Sequence, residues 1–172
     1  MEVKYTTSEC PLGKLLVASS DKGLCMVSTG QSEKDLIRRL QARFPTATAI
    51  RDDESLADLR RSVERRIEGK DLDEKLPLDL RGTPFQVSVW REMLKIPAGS
   101  TRSYGEVARR IGRPKAFRAV AQACGANPVP IVVPCHRVVA SGGKLGGYTG
   151  GIEKKISLLT SEGVADPAWR TA

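Results

Sequence analysis

A cysteine, a histidine and an arginine stand side by side, Cys135-His136-Arg137, within a segment that is otherwise largely apolar from residue 127 to 139. A thiolate is a strong nucleophile, a neighbouring imidazole can take its proton, and a nearby cation favours the charged sulfur. His136 is also the only histidine of the chain. The group predicts nucleophilic chemistry at Cys135. An isolated cysteine is usually a small core residue, and this interpretation applies to the other three, Cys10, Cys25 and Cys124.

The segment after the cysteine is rich in glycine. Six glycines lie between positions 142 and 151, with Tyr148 and Thr149 among them. Glycine lets the backbone come close to a ligand, so the segment fits a substrate-binding loop. A plain flexible connection is the alternative.

Charge is unevenly distributed along the 172 residues, whose net charge is +8. Residues 1–80 hold 14 Lys/Arg and 15 Asp/Glu, whereas residues 81–172 hold 14 and 5. Clustered cations gain free energy by displacing counterions from phosphates, so the second half fits an anionic partner. A solvated basic surface would give the same composition.

Composition also disfavours several classes of protein. The four cysteines form no CxxC pair and there is one histidine, so we expect no metal site and no cofactor. No apolar run reaches the roughly 20 residues that cross a bilayer. The N-terminus carries Glu2, Lys4 and Glu9 where a signal peptide would be apolar. We expect a soluble, intracellular protein with reduced thiols.

The first half predicts a mixture of strands and helices. Three short apolar runs separated by turn-prone residues predict strands at Val3 to Thr6, Leu15 to Ala18 and Leu24 to Ser28. Apolar residues at helical spacing predict helices over residues 33–44 and 56–67. Gly69 to Leu80 has lost this period and is the expected linker.

The second half predicts a series of short helices. One begins at Thr83-Pro84, and a second begins at the capping box of Ser103 and Glu106. After Gly112, the pair Arg113-Pro114 is expected to restart a helix that runs to Gly125. Two short helices joined at a glycine fit a helix-turn-helix motif, while an ordinary packed helix pair is the alternative. Between Lys95 and Arg118 there are seven basic residues and one acid, which favours DNA.

These motifs together resemble the O6-alkylguanine-DNA alkyltransferase family. The resemblance rests on Pro134-Cys135-His136-Arg137-Val138 after Asn127-Pro128, and on further matches that cover nearly all of residues 81–162. Among them are Gly82-Thr83-Pro84-Phe85-Gln86, Ile96-Pro97-Ala98-Gly99, Ser103-Tyr104 and Pro114-Lys115-Ala116. The N-terminal half is similar only loosely, chiefly through Pro11-Leu12-Gly13.

The resemblance implies a fold and a division into domains. An N-terminal α/β lobe similar to ribonuclease H would span residues 1–79. A mostly helical C-terminal lobe with a winged-helix-like helix-turn-helix would span residues 80–172. The expected linker at Gly69 to Leu80 ends at this boundary. The implied partner is duplex DNA that contains O6-alkylguanine, bound through its minor groove by a monomer in the cytoplasm or nucleoid, with no membrane involved.

The resemblance also implies roles for individual residues. Cys135 would accept the alkyl group, His136 would act as its base through a water, and Glu162 would orient His136. Tyr104 would donate a hydrogen bond to the departing base, and Asn127 would join the recognition helix to the active-site segment. The implied DNA contacts are Arg113, Lys115, Arg118, Ala119 and Tyr104, with Arg118 filling the stack that the flipped base leaves. The implied pocket residues are Pro130, Val138, Tyr148, Thr149 and Gly150.

Three positions depart from the usual family pattern: Gly147, Thr149 and Phe117. They put the shape of the pocket and the fit to DNA in question. Three other functions remain open at this point: a non-catalytic alkylguanine-binding relative, a Cys-His hydrolase of small substrates, and a helix-turn-helix transcription regulator. Val164 to Ala172 carry no motif, and we expect a mobile tail there.

Overall fold

The first three strands form an antiparallel meander. In the computed structural model, which describes residues 1–164, β1 (Glu2–Cys10), β2 (Gly13–Ser20) and β3 (Gly23–Gly30) pair in that order. The two tight turns place Gly13 and Gly23 at φ values of +106° and +141°, where a Cβ atom would be strained. The three strands predicted from the sequence are confirmed, and each extends beyond its apolar centre.

A fourth strand, β4 (Thr48–Arg51), lies parallel to β1 and completes a sheet with the order β3-β2-β1-β4. The sequence does not predict this strand because it is short, mostly exposed and paired with a partner that is distant in the chain. Helices α1 (Glu33–Arg43) and α2 (Ala57–Ile67) confirm the two periodic segments. Buried Leu36 and Leu40 of α1 pack into the core of this sheet.

Capping boxes define where the helices of the second half begin. Helix α3 (Pro84–Met93) starts after the N-cap Thr83, and α4 (Tyr104–Arg110) starts after the N-cap Ser103. In both helices the N-cap hydroxyl accepts from the third backbone N–H, and the third side chain accepts from the N-cap N–H. Both predicted helix starts are confirmed.

Helix α5 (Phe117–Gly125) begins later than the sequence predicts. Arg113-Pro114 does not restart a helix but belongs to a turn, in which the N–H of Arg113 donates to Ala108 O at 2.9 Å and that of Ala116 donates to Arg113 O at 2.9 Å. The hydrogen bonds of this turn hold residues 113–116 outside the helix, so α5 forms only after the turn. Helices α4 and α5 pack against each other and against α3.

The remaining elements of the second half surround the Cys135 segment. Strand β5 (Arg102–Ser103) pairs in parallel with β6 (Val138–Val139), and α6 (Ile152–Ser161) follows the glycine-rich segment.

The chain forms two structural units. One consists of Met1–Arg81 with Pro128–Pro130, and the other consists of Gly82–Asn127 with the chain from Ile131 onward. Within residues 1–164, no helix is long and apolar enough to cross a bilayer. Apart from Val164, the expected tail lies outside the described residues.

Candidate active site

Cys135, His136 and Arg137 form one turn of 3-10 helix, and all three are buried. The N–H of Cys135 donates to Val133 O at 2.8 Å, and that of Arg137 donates to Pro134 O at 3.0 Å. Three residues complete one turn of a 3-10 helix, so the three side chains point in three different directions. The turn can therefore direct the thiol, the imidazole and the guanidinium into separate surroundings.

Two short strands position this turn relative to Tyr104. In the parallel pair β5–β6, Arg102 lies opposite Val138 and Ser103 lies opposite Val139. Tyr104 follows β5 directly as the first residue of α4. The strand partners are 36 positions apart in the sequence, and their pairing brings Tyr104 to the Cys135 turn.

The Cys135 sulfur lies in a buried polar environment. The residue is 7% exposed, and this burial raises the pKa of its thiol. Hydrogen bonds with the side chains of Asn127 and Tyr148, and the charge of Lys155, act in the opposite direction on the pKa. Asn127 also donates its Nδ2–H to Val133 O at 2.9 Å, which ties it to the Cys135 segment. A buried thiol with a raised pKa needs a base before it can react.

His136 lies next to Cys135 in sequence and is held by a carboxylate. Its side chain is 1% exposed, and its Nε2 lies 3.0 Å from Glu162 Oε2. Since a carboxylate accepts hydrogen bonds, Nε2 carries the proton and Nδ1 is left with its lone pair. Burial lowers the pKa of His136 despite the neighbouring Glu162 carboxylate, so the ring is neutral at pH 7. Nδ1 is buried and has no hydrogen-bond partner among residues 1–164.

Glu162 is held by a second partner, Arg137. The guanidinium donates from Nε to Oε1 and from Nη2 to Oε2, both at 2.7 Å, and from Nη1 to Ile96 O at 2.7 Å. Despite the unfavourable effect of burial, these bonds and the one to His136 lower the pKa of Glu162 to about 2. Glu162 is thus a buried anion and not a solvated helix end.

The expectation that Arg137 favours the Cys135 thiolate needs correction. The guanidinium is paired with Glu162, and the cation that lowers the pKa of Cys135 is Lys155. Lys155 is fully buried, and its Nζ donates to Val138 O at 2.7 Å and to Gly147 O at 3.0 Å. Burial lowers its pKa to about 8. The sequence does carry a signal for Lys155, because it lies three and four residues before Leu158 and Leu159 on the apolar stripe of α6.

Tyr104 is closely packed against the glycine-rich segment. A Cβ atom at Gly146 would lie 2.9 Å from the Tyr104 hydroxyl oxygen and 3.2 Å from Ala140 N, and Gly146 has a φ of +76°. Burial, followed by Cys124 and Cys135, raises the pKa of Tyr104. The phenol therefore keeps its proton and can donate it in a hydrogen bond.

The five expected pocket residues differ in their burial and in their contacts. Val138 is fully buried, and Tyr148 contacts the Cys135 sulfur through its hydroxyl, with a pKa raised by burial. Exposed Thr149 donates from Oγ1 to Gly125 O at 2.8 Å, which joins the loop to the end of α5. A Cβ atom at Gly150 would lie 3.2 Å from the Tyr148 ring. Pro130 falls in the segment that groups with the N-terminal unit, and its pocket role stays a prediction.

Apart from Tyr104, the expected DNA contacts lie on α5 and on the turn before it. Arg113, Lys115 and Arg118 are exposed and Ala119 is half-buried. The turn lines a surface cavity of about 420 Å³. Within residues 1–164, no salt bridge includes any of the five cations Arg109, Arg110, Arg113, Lys115 and Arg118. This surface has free positive charge to offer to an anion.

The second structural unit thus combines a buried cysteine, a histidine bonded to a glutamate, and two short packed helices that resemble a helix-turn-helix. This combination defines a class of protein with a cysteine nucleophile and a nucleic-acid-binding helix pair. Two family models match the chain. The "6-O-methylguanine DNA methyltransferase, ribonuclease-like domain" matches residues 3–80, and the "6-O-methylguanine DNA methyltransferase, DNA binding domain" matches residues 84–164.

Curated relatives agree with these matches. The chain is 43% identical over 162 residues to the "Bifunctional transcriptional activator/DNA repair enzyme Ada" of Escherichia coli K12, covering 94% of this chain and 46% of that protein. It is 40% identical to the "Methylated-DNA--protein-cysteine methyltransferase" of Methanosarcina acetivorans, covering 92% and 97%. The chain thus spans about half the length of the Escherichia coli relative, and of one from Salmonella typhimurium.

Two solved structures are similar over nearly the whole chain. The Mycobacterium tuberculosis O6-methylguanine methyltransferase is 38% identical, with a TM-score of 0.79 and 96% of each chain covered. A complex of the Mycobacterium tuberculosis protein with DNA has a TM-score of 0.75 and covers 98% of each chain. The chain belongs to the 6-O-methylguanine DNA methyltransferase family. The expected fold, an α/β lobe and a mostly helical lobe, is confirmed.

Proposed function

We propose that this chain repairs alkylated DNA by moving an alkyl group from O6 of guanine to Sγ of Cys135. The observation that carries the proposal is the buried Cys135 sulfur beside Asn127, Tyr148 and Lys155, next in sequence to the His136–Glu162 pair. The product would be a thioether, which cellular thiols do not reduce and water does not hydrolyse. Each molecule would therefore act once.

The reaction removes one proton from the thiol and stabilises the negative charge that develops on the departing guanine. The Cys135 thiol gives its proton to Nδ1 of His136 through a bridging water, and the sulfur then attacks the alkyl carbon in line with the C–O6 bond. The carbon–sulfur bond forms as the carbon–oxygen bond breaks, and the electron pair moves onto the guanine. The Tyr104 hydroxyl donates a hydrogen bond to the departing base, which lowers the cost of its negative charge. The orphan Nδ1 of His136 supports this route.

DNA would reach this site by nucleotide flipping. A base within a duplex cannot contact a buried sulfur, and unstacking it costs a few kcal/mol. We propose that α5 enters the minor groove, where Ala119 permits close approach and Arg118 replaces the lost base in the stack. Arg113 and Lys115 would hold phosphates. The free cations on this surface support the proposal. The proposed partner is duplex DNA, bound by a monomer in the cytoplasm or nucleoid. All residues proposed for the reaction lie in the proposed domain 80–172.

The test is a mass measurement. The protein is incubated with an excess of duplex that contains one O6-methylguanine, and intact and peptide masses are recorded. We expect one added methyl group per molecule, on the peptide that contains Cys135, and none in Cys135→Ser. Cys25→Ser is the matched control and should gain one methyl group as wild type does, because Cys25 is 1% exposed with a pKa raised to about 11.

The same experiment separates the competing functions. A hydrolase would release product over many turnovers and leave Cys135 unmodified. A regulator or a non-catalytic relative would bind the duplex without adding mass. Repaired DNA beside an unmodified Cys135 would overturn the proposal.

A further inference from the structure

Phe117 is the only large apolar side chain on the exposed surface of α5. It is the first residue of α5 and is 48% exposed. The other residues of α5 that are not buried are small or polar: Arg118, Ala119, Ala121, Gln122 and Gly125. A single exposed apolar side chain is common on protein surfaces, so the surroundings of Phe117 decide what it means.

The guanidinium of Arg118 lies over the Phe117 ring, at 5.9 Å from its centroid. This distance is within the range of cation–π contacts. The two side chains therefore run side by side from the start of α5. Within residues 1–164, no carboxylate forms a salt bridge with Arg118. The pair thus combines a free cation with an aromatic face that is half open to solvent.

The charge around this pair fits nucleic acid. Arg113 and Lys115 are exposed in the turn that precedes Phe117, and Arg113 lies over the Phe85 ring at 5.7 Å. Cations of this kind neutralise phosphates. An apolar ring cannot do so, but it can replace the stacking contacts of a base. Proteins that bend or open the minor groove often insert Phe, Leu, Ile or Met between base steps.

We propose that Phe117 enters the duplex beside Arg118 as an apolar wedge and packs against the base pair that borders the gap. Arg118 occupies the place of the extruded guanine, and the ring covers the exposed face of the neighbouring pair. Together they oppose the return of the base. This inference rests on the proposed function, because it requires that α5 lies in the minor groove.

The test compares duplex with free base. Wild type, Phe117→Ala and Phe117→Leu react with a duplex that contains O6-methylguanine and, separately, with free O6-benzylguanine. We expect Phe117→Ala to lower the second-order rate constant for the duplex about tenfold, which is the size of one lost base-stacking contact. The rate with the free base should stay within twofold. Phe117→Leu should recover at least half of the duplex rate, because leucine retains an apolar wedge.

Fluorescence gives an independent measurement. A 2-aminopurine next to the lesion brightens when the extruded base no longer stacks on it. A wedge that opposes the return of that base keeps the fluorescence high. The experiment uses Cys135→Ser, so that the complex forms without transfer. We expect the increase on binding to be smaller with Phe117→Ala added, at DNA concentrations that saturate both proteins, because the lesion base then returns to the stack more often. Leu94→Ala is the matched control, since Leu94 is 40% exposed in the same unit, and it should behave as wild type.

The outcomes are distinguishable. A wild-type duplex rate in Phe117→Ala overturns the wedge, and so does a rate in Phe117→Leu as low as that of the alanine variant. An equal loss on duplex and free base assigns Phe117 to folding and also overturns the wedge. Failure of the wild type itself to methylate Cys135 would refute the proposed function instead.

Discussion

Replacing Glu162 by glutamine tests the centre of the proposed site. The carboxylate accepts from Arg137 at both oxygens and from His136 at Oε2, and its side chain is 2% exposed. A glutamine has one oxygen. If that oxygen takes the place of Oε2, the NH₂ group faces Nε of Arg137, donor against donor. The reverse orientation loses two bonds. Either way Arg137, which is 6% exposed, loses its counter-charge.

The cost can be calculated in two ways that agree. The pKa of Glu162 falls from 4.5 to about 2. At about 1.4 kcal/mol per pKa unit, this shift stabilises the folded protein by about 3 kcal/mol. Removing one partner of a buried ion pair typically costs about 3 to 5 kcal/mol. We therefore expect Glu162→Gln to lower the free energy of unfolding by about 3 kcal/mol at pH 7.

The loss should depend on pH with a defined sign. Since the folded state has the lower pKa, the stabilisation from Glu162 is complete above pH 4.5 and is lost as the pH falls toward 2. The difference between wild type and Glu162→Gln should shrink over the same range. The His136 ring also loses its anionic partner, and we expect methyl transfer to slow about a hundredfold, within the usual contribution of a general base.

Urea unfolding followed by tryptophan fluorescence measures the stability. Trp90 is 1% exposed and its Nε1 donates to Ala123 O at 2.8 Å. A Trp169→Phe background leaves Trp90 as the reporter of the C-terminal unit. Glu92→Gln is the matched control, because Glu92 is a buried carboxylate of the same unit, paired with Lys95 and Arg102. It should lose stability without slowing transfer by folded protein. A stability gap that is independent of pH, or wild-type transfer in Glu162→Gln, would refute the reasoning.

Two further predictions concern the loop and its lysine. Gly146→Ala should slow transfer at least tenfold, since its Cβ would lie 2.9 Å from the Tyr104 hydroxyl oxygen at a position with positive φ. Quench-flow measurement of the transfer rate with duplex tests this prediction, and a wild-type rate would contradict it. Lys155→Met should slow transfer to free O6-benzylguanine at pH 7, because a cation near Cys135 is lost. The difference should narrow above pH 8, where wild-type Lys155 loses its own proton, and a constant ratio from pH 6.5 to 9.5 would contradict the assigned role.

Local signals in the sequence determined a large part of this protein. The capping boxes at Thr83 and Ser103 define helix starts by hydrogen bonds that span only three residues. The strand meander follows from apolar runs between turns. The Pro-Cys-His-Arg-Val string identified the family, because its chemistry is concentrated in adjacent residues. The predicted start of α5 was wrong because the turn closed by the hydrogen bond from Arg113 N–H to Ala108 O outweighed the preference of Pro114 for the first position of a helix.

Only the tertiary structure decided which partner each charged group of the site has. Arg137 is next to the His-Cys pair in sequence, yet its charge is paired with Glu162, 25 residues away. Lys155 lies 20 residues beyond Cys135 in the sequence, and its positive charge lowers the pKa of the Cys135 thiol. Electrostatic partnership depends on distance and burial in space, which adjacency in sequence does not specify. The sequence predicts that Cys135 is the nucleophile, and the fold decided that Lys155, and not Arg137, is the cation whose charge lowers the pKa of its thiol.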